Sequence, residues 1–303
     1  MNLDILVERA RIVSAIRRFF DERGFVEVET AVRIPAPAPE EHIDCPPVVG
    51  GGYLRASPEL QMKKLLAEGM DKIYQIGPCF REGEKGSRHN PEFTMLEWYR
   101  RGATYLDIQD DLKSLVLSLM SLTEWKDLSR QTEDASDCFA TLSVRDAYRQ
   151  YAGWDPWEGE WDQDRFDFDM ATKIEPAIKS MGGGVFLTDY PPQAASLARI
   201  SRAKGLETED GRREYAERWE FYWDGLELAN CFTELCDSDE QRTRFQSAKN
   251  ARIVLKESDY PLDNEFIDCL PRIGSAAGVA LGVDRLVMIL TKTKEISSVR
   301  ASL

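Results

Sequence analysis

Apolar residues near the N-terminus recur at steps of three and four, the spacing of one face of an α-helix. The residues in this pattern are Leu3, Leu6, Ala10, Val13, Ile16 and Phe20. Gly24 follows where helices commonly end on a glycine, and residues 25–29 then predict a strand. The chain is therefore expected to begin with an amphipathic helix and a short strand.

Further along, the pattern predicts three more elements. Residues 105–120 have helical periodicity, and 185–187 predict a short strand that ends at a turn over 189–192. A helix is expected to open after Ser57 as its N-cap, with Pro58 in the first position and Glu59 in the first turn. The region near 125–178 is rich in Asp and Trp without a clear period, and we interpret it as a peripheral helical insertion.

The segment 81–100 contains the largest group of candidate ligand-binding side chains. In a strand, Phe93, Met95, Glu97 and Tyr99 would share one face, with Arg81 at the start of the hairpin that leads into it. An aromatic ring, a carboxylate, a phenol and an arginine suit a nucleotide base, an ammonium group and a phosphate. An ordinary amphipathic hairpin with a polar turn is the alternative from spacing alone.

A second hairpin is predicted by the Asp-Gly pair at 224–225, a strong type I′ turn signal. Tyr222 is expected to pair with Glu227 and Glu220 with Ala229. Glu220 and Glu227 then share a face, roughly 7–8 Å apart at the backbone. A cation is expected between such close acids, and Mg²⁺ carried by nucleotide phosphates fits. Two solvated acids on an exposed ribbon are the alternative.

Successive side chains of a strand lie on opposite faces, so in a regular strand Glu227 would face away from Asn230, Phe232 and Glu234. A site common to all four requires a β-bulge between Glu227 and the other three. Cys231 is interpreted as a small buried thiol.

Three small residues alternate near the C-terminus: Gly278, Ala280 and Gly282. They would let a ligand lie close to the strand backbone. Asp284 is expected to cap the following helix, whose first residue would be Arg285. That arginine is either a surface residue or a group that stacks on a ring.

Composition limits the class of protein. Hydrophobic residues make up 43% and charged residues 30%, no apolar run approaches a membrane span, and the net charge is −14. The six cysteines form no CxxC pair and have only His42 and His89 beside them, which disfavours zinc and favours a reduced, cytoplasmic setting. The acidic charge also disfavours a nucleic-acid partner.

Four blocks then resemble the sequence motifs of class II aminoacyl-tRNA synthetases of the lysyl branch. GFVEVET at 24–30 resembles motif 1, FRxxE with HNPEFTMLEWY resembles motif 2, EFYWDGLELANCFTE at 220–234 resembles the metal and lysine strands, and GVALGVDRLVM at 278–288 resembles motif 3. The resemblance implies an α+β fold, an antiparallel β-sheet flanked by helices, as one catalytic domain over 1–303. It also implies use of ATP and Mg²⁺, and a homodimer.

The resemblance assigns roles by position. Arg81 and Arg285 would be catalytic, and Glu220 and Glu227 would bind the metal. The ATP-binding set would be Arg81, Glu82, Gly83, Glu84, His89, Asn90, Phe93, Glu220, Phe221, Gly282 and Arg285, with adenine held between Phe93 and Arg285. The amino-acid set would be Ser57, Pro58, Glu59, Glu97, Tyr99, Glu227, Asn230, Phe232, Glu234 and Ala280.

Three positions depart from the family pattern. Ala31 replaces the motif 1 proline, Cys231 replaces a glycine, and Gly83 stands where motif 2 has an acid. Glu84 or Glu82 is expected to take over the role of that acid.

Within the lysyl branch, the chain most resembles short paralogues that attach lysine or β-lysine to a lysine side chain of elongation factor P. No anticodon-binding domain is expected, which together with the acidic charge makes tRNA an unlikely partner. An RNA-charging synthetase core and a non-catalytic paralogue are the alternatives. Ala280, where lysyl-tRNA synthetases typically have glycine, favours β-lysine.

Overall fold

The fold is described from a computed structural model, over residues 2–122, 138–203, 213–255 and 258–301. Two compact units are present: Met1–Ala103 with Leu235–Leu303, and Thr104–Glu234. Within the described ranges, no helix has the length and apolar character needed to cross a membrane. The prediction of a single catalytic domain with an insertion stays a prediction.

The strands, numbered along the chain, are β1 (Val26–Glu27), β2 (Arg33–Ile34), β3 (Tyr53–Leu54), β4 (Lys72–Phe80), β5 (Glu92–Arg101), β6 (Phe139–Ser143), β7 (Gly184–Tyr190), β8 (Ile200–Ala203), β9 (Arg213–Trp223), β10 (Leu226–Thr233) and β11 (Ala276–Gly282). The α-helices are α1 (Leu3–Asp21), α2 (Glu59–Ala67), α3 (Tyr105–Met120), α4 (Val144–Ala147), α5 (Gln163–Asp169), α6 (Glu175–Met181), α7 (Ser238–Val254), α8 (Asn264–Ile273) and α9 (Val283–Leu290). Short π-helical turns, Tyr148–Ala152 and Met170–Ile174, follow α4 and α5.

The predicted N-terminal helix is confirmed as α1. It ends where the N–H of Gly24 (φ 73°) bonds to Asp21 O and that of Phe25 bonds to Phe20 O, a Schellman arrangement. The buried stripe differs from the predicted one, because Leu3 is 69% exposed while Ile12, Ala15, Ile16, Phe19 and Phe20 are buried. The predicted strand 25–29 is shorter, since only Val26–Glu27 pairs, parallel with β4.

In the first unit, neighbouring strands follow the order β1-β4-β5-β11, and both β4 and β11 run antiparallel to β5. Glu97 lies at the centre of β5, opposite Gln75 on β4 and Ala280 on β11. Phe20 of α1 covers one face of this sheet, with its ring 4.7 Å from Tyr74 and 5.2 Å from Trp98. Because Trp98 and Glu97 are consecutive in a strand, the other face is the one that carries Glu97.

A buried arginine fixes a long loop in the same unit. Arg252 of α7, which is fully buried, donates to the carbonyls of Glu40 and Ile43 and to the carboxylate of Asp44, and its guanidinium lies 4.3 Å from the ring of Tyr260. The carbonyl of Asp44 then accepts the N–H of Glu82 at 2.7 Å. The loop is thereby tied to the residue after Arg81.

In the second unit, the strand order is β10-β9-β7-β6, with β8 also paired to β9. β6 and β7 are parallel, and the other pairs are antiparallel. The core beside β7 includes Tyr148, Phe166, Val185 and Leu187. Helices α4 to α6 lie in the region interpreted as a helical insertion, but β6, also within it, was not expected; residues 125–137 of that region lie outside the described residues.

Candidate active site

Glu97 is a fully buried carboxylate on the face of β5 opposite to the one that Phe20 covers. The hydroxyl of Ser57 donates to Oε1 at 2.6 Å, and that of Tyr99 donates to Oε2 at 2.7 Å. Burial raises its pKa to about 7, helped by the nearby charge of Glu59, while Ser57 and Tyr99 act in the opposite direction. An ammonium group that binds beside such a buried carboxylate would stabilise its ionised form.

Gly278 and Ala280 of β11 lie opposite Tyr99 and Glu97 of β5. The small residues of β11 were predicted to leave room for a ligand, but they do not all do so. A Cβ at Gly278 would be 2.1 Å from Cδ1 of Tyr99, so this glycine leaves room for a side chain of the protein itself. Ala280 and Gly282 remain partly exposed on the strand, and a Cβ at Gly282 would meet nothing nearer than 3.8 Å. The open space along β11 therefore lies beside residues 280 and 282.

Ser57 connects Glu97 to helix α2. Its Oγ accepts the N–H of Glu59 at 2.9 Å while donating to Glu97. The expected start of the helix is corrected by one residue, since α2 begins at Glu59 and Pro58 precedes it. A pocket borders this helix start, lined by Ser57 and Glu59 and by loop residues such as Ile43 and Cys45.

The motif 2 hairpin brings Arg81 to Phe93 and Glu84. The guanidinium of Arg81 lies 5.3 Å from the ring centroid of Phe93, and Nη1 is 3.3 Å from Oε1 of Glu84. Glu82 is exposed, and Gly83 has φ 75°, a conformation that glycine adopts without strain. Of the two acids considered for the missing motif 2 glutamate, Glu84 is the one in contact with Arg81.

Arg285 contacts the same hairpin from α9. Its Nη2 is 2.7 Å from Nε2 of His89, and its Nε is 3.4 Å from the carbonyl of Arg88. Burial and the charge of Arg285 lower the pKa of His89, so its neutral ring accepts the arginine's hydrogen bond. Asn90, partly buried, follows in the same loop. In the structure the guanidinium over Phe93 is that of Arg81, so an adenine held between Phe93 and Arg285 stays a prediction.

The expected cap at Asp284 is wrong. Helix α9 begins at Val283, two residues earlier than expected, with Gly282 as its N-cap, and Asp284 lies in its first turn. The buried carboxylate accepts the N–H of Thr94 at 3.0 Å and pairs with Nη1 of Arg9 at 2.6 Å. It therefore ties the start of α9 to β5 and α1.

The β9–β10 hairpin confirms part of the predicted register. Tyr222 pairs with Glu227, and both turn residues have positive φ. Glu220, however, pairs with Asn230 and not with Ala229, because the register shifts between Glu227 and Ala229. This is the bulge that the parity argument required. It places Glu220, Glu227 and Asn230 on one face, with Phe232 continuing the same alternation.

Arg218 is a further candidate site residue on this face, and the sequence reasoning missed it. Its Nη2 lies 2.6 Å from Oε1 of Glu220, and its Nε donates to Asn230 at 3.1 Å. Tyr222 donates to the other oxygen of Glu220 at 2.6 Å. The alternation of β9 could have identified Arg218, since it is two residues before Glu220 on the same face.

The other predicted residues of this unit are largely buried. Phe232, on the same face as Glu220, packs against the core cluster beside β7, and Glu234 is 2% exposed. Phe221 is fully buried, with its ring 4.6 Å from that of Phe186. Its side chain therefore faces away from Glu220, and any contact of this residue with ATP would use the backbone.

Comparison with known proteins identifies the family. The chain matches tRNA synthetases class II (D, K and N) over residues 2–301. It belongs to this family. The fold predicted from the sequence is thereby confirmed, the chain is a ligase of the class II synthetase type, and membership implies the use of ATP.

The similar relatives include elongation factor P–(R)-β-lysine ligases. That of Proteus mirabilis is 36% identical over 333 residues, which cover 98% of this chain and 94% of the relative. Those of Sodalis glossinidius and Yersinia enterocolitica are each 37% identical, with the same coverage of 98% and 94%.

Proposed function

We propose that this protein activates (R)-β-lysine or lysine with ATP and transfers it to a lysine side chain of elongation factor P. The named relatives support this proposal, because the similarity extends over nearly the whole of both chains. The observation that carries it within the structure is Glu97, buried between Ser57 and Tyr99 and opposite Ala280, an arrangement suited to one ammonium group of the amino acid.

In the first step, an oxygen of the amino-acid carboxylate attacks the α-phosphorus of ATP, the bond to pyrophosphate breaks, and an aminoacyl adenylate forms. The carboxylate is already ionised, so no general base is required. Arg81 and Arg285 would stabilise the charge that develops on the phosphate oxygens. His89 and Glu84 contact these arginines in the structure and would orient them.

The remaining motif 2 and motif 3 residues fit ATP binding by position. Phe93 offers a ring face, Gly282 leaves space beside β11, and Gly83 and Asn90 lie in the motif 2 loop. In the second step, the amine of the acceptor lysine attacks the adenylate carbonyl, its proton is released and AMP leaves. The product is an amide.

Glu220 and Glu227 have the ligand chemistry for Mg²⁺, which prefers one or two carboxylates together with phosphate oxygens. Within the described ranges, no group of three or more His, Cys, Asp or Glu residues could hold a metal unaided, which agrees with a metal that arrives with the nucleotide. The bulge places both acids on one face. Arg218 pairs with Glu220 at 2.6 Å, and its charge also interacts with that of Glu227. Loss of Glu227, one of the two candidate ligands, should raise the Mg²⁺ requirement.

A homodimer through the motif 1 elements is part of the proposal. Leu3, Val7 and Val26 are 69%, 50% and 51% exposed, an amount of open apolar surface that another subunit would cover. The net charge of −14 makes tRNA the less favoured acceptor.

The test is to incubate the protein with ATP, each lysine isomer, and either elongation factor P or tRNA, and to weigh the products by mass spectrometry. The expected result is an ATP-dependent increase in the mass of elongation factor P by one lysyl or β-lysyl residue. Elongation factor P with its acceptor lysine changed to arginine is the control. Charged tRNA with unmodified elongation factor P would indicate a synthetase instead, and absence of adenylate would indicate a non-catalytic paralogue.

A further inference from the structure

Lys63 is a buried lysine of α2 that the proposed mechanism leaves unused. Its side chain is 1% exposed, and its ammonium group pairs with Oε1 of Glu59, one helical turn earlier. A buried ammonium is costly unless it is paired and hydrogen-bonded, so a lysine at this position requires a reason.

The contacts around Lys63 lead to Glu97. Lys63 binds the carboxylate of Glu59, the N–H of Glu59 binds Ser57 Oγ, and the Ser57 hydroxyl donates to Glu97. Two carboxylates and one ammonium therefore lie in one connected, largely buried group. With both acids ionised, the net charge of this group is −1, which matches a single incoming ammonium group.

We propose that Lys63 is a positioning residue that neutralises Glu59 and so favours the ionised form of Glu97, which receives the ammonium group of the amino acid. The proposal rests on the proposed function in one respect, the assignment of Glu97 as the ammonium-binding carboxylate. Without Lys63, Glu59 and Glu97 would be like charges in a water-poor site, and one of them would take up a proton.

The groups that face Glu97 within this unit are consistent with this role. Ser57 and Tyr99 donate hydrogen bonds to it, and Gln75 and Ala280, both uncharged, are opposite it on the flanking strands. Cys79 of β4 also interacts electrostatically with Glu97, and burial raises the pKa of this thiol. The buried Arg55 lies against Gly77 of β4 and donates to the carbonyls of Thr30 and Pro78. The charge of Glu59 raises the pKa of Glu97, and that of Lys63 lowers it. Lys63 and Glu59 therefore act on Glu97 in opposite directions from the same helix.

The decisive perturbation is Lys63→Met, which keeps side-chain length and removes the charge. If Glu97 must be ionised to bind the amino acid, kcat/KM for the amino acid falls at low pH, where Glu97 is protonated. This fall, the acid limb of the pH profile, should move to higher pH in Lys63→Met, and activity should recover above it. With the pKa of Glu97 at about 7, a rise of one unit would lower the ionised fraction at pH 7 from about one half to about one tenth, and kcat/KM about fivefold. The KM for ATP, measured at a pH above the acid limb of the variant, should stay unchanged.

Lys64→Met is the matched control. Lys64 is the next residue of the same helix, 20% exposed, and it pairs with Asp263, the N-cap of α8, and with Glu265 in the first turn of α8. ATP–pyrophosphate exchange measured between pH 5.5 and 9 should place the acid limb of this variant at the wild-type position. A uniform loss of kcat/KM in Lys63→Met at every pH, with an unmoved limb, would overturn the proposal.

Glu59→Gln tests the same idea should Lys63→Met fail to fold. Here Lys63 would be uncompensated, so the acid limb should move to lower pH, and the double variant Glu59→Gln/Lys63→Met should return it toward the wild-type position. An unmoved limb in Glu59→Gln contradicts the proposal. Absence of exchange in the wild type with any lysine isomer would instead reject the proposed function, and the Lys63 proposal with it, so the two failures are distinguishable.

Discussion

Replacement of Gly278 by alanine should damage the proposed amino-acid site through one methyl group. The added Cβ would lie 2.1 Å from Cδ1 and 2.2 Å from Cε1 of the Tyr99 ring, far inside van der Waals contact. Gly278 has no positive φ, so the cause is space and not backbone conformation. Because Tyr99 is 3% exposed in a packed sheet, its ring would have to move by roughly 1 Å or more.

The magnitude follows from two losses. Overpacking of a well-packed site typically costs about 1–3 kcal/mol. Displacement of the Tyr99 ring also breaks the 2.7 Å hydrogen bond to Glu97, and a hydrogen bond to a charged group contributes about 1.5–3 kcal/mol. The free energy of unfolding should therefore fall by about 2.5–6 kcal/mol, and the KM for the amino acid should rise because Glu97 loses a donor.

Urea denaturation and pyrophosphate exchange measure these two effects, and Gly282→Ala is the control. Gly282 lies on the same face of β11 with φ −73°, where alanine is allowed, and the atoms nearest to its added Cβ, those of Arg285, would be 3.8 Å away or more. Its free energy of unfolding should stay within about 1 kcal/mol of the wild type, whereas its KM for ATP should change. If Gly278→Ala were as stable as Gly282→Ala with an unchanged KM for the amino acid, the packing argument would be refuted.

Three further predictions concern the proposed reaction. Arg285→Ala should lower pyrophosphate exchange roughly 100-fold or more, since loss of a group that stabilises the transition state costs several kcal/mol; Arg242→Ala, at a half-exposed arginine of α7, is the control, and near-normal exchange would remove Arg285 from the site. Glu227→Gln should raise the Mg²⁺ requirement more than the amino-acid requirement, and an unchanged Mg²⁺ titration with weaker amino-acid binding would reassign Glu227 to substrate recognition. Ala280→Gly should improve the use of α-lysine relative to β-lysine by about 1–3 kcal/mol in the ratio of specificity constants, and a wild type that prefers α-lysine with no change on mutation would rule out residue 280 as the selector.

Patterns local to the chain were predictable from the sequence. The period of two in β5 placed Glu97 and Tyr99 on one face, the apolar period of α1 predicted the helix, and the Asp-Gly pair predicted the turn that joins β9 to β10. These features depend on residues within a few positions of one another, so neighbouring residue types are sufficient to specify them.

The pairing register of β9 with β10 was only partly predictable from the sequence. The parity of Asn230 relative to Glu227 required a bulge, but its position, between Glu227 and Ala229, depends on how β10 pairs with β9 as a whole. The predicted pairing of Glu220 with Ala229 was therefore wrong by one residue, although Glu220 and Glu227 do share a face.

The remaining features were decided by tertiary structure. Asp284 looks like a helix cap in sequence, but its partner is Arg9, near the other end of the chain. Gly278 looks like room for a ligand, but the space belongs to Tyr99, and Lys63 looks like one of two adjacent surface lysines until its burial beside Glu59 is seen. A sequence specifies which side chains alternate along a strand or helix. Which distant group fills a space or balances a buried charge is fixed only when separate segments pack together, because packing and desolvation depend on every neighbour at once.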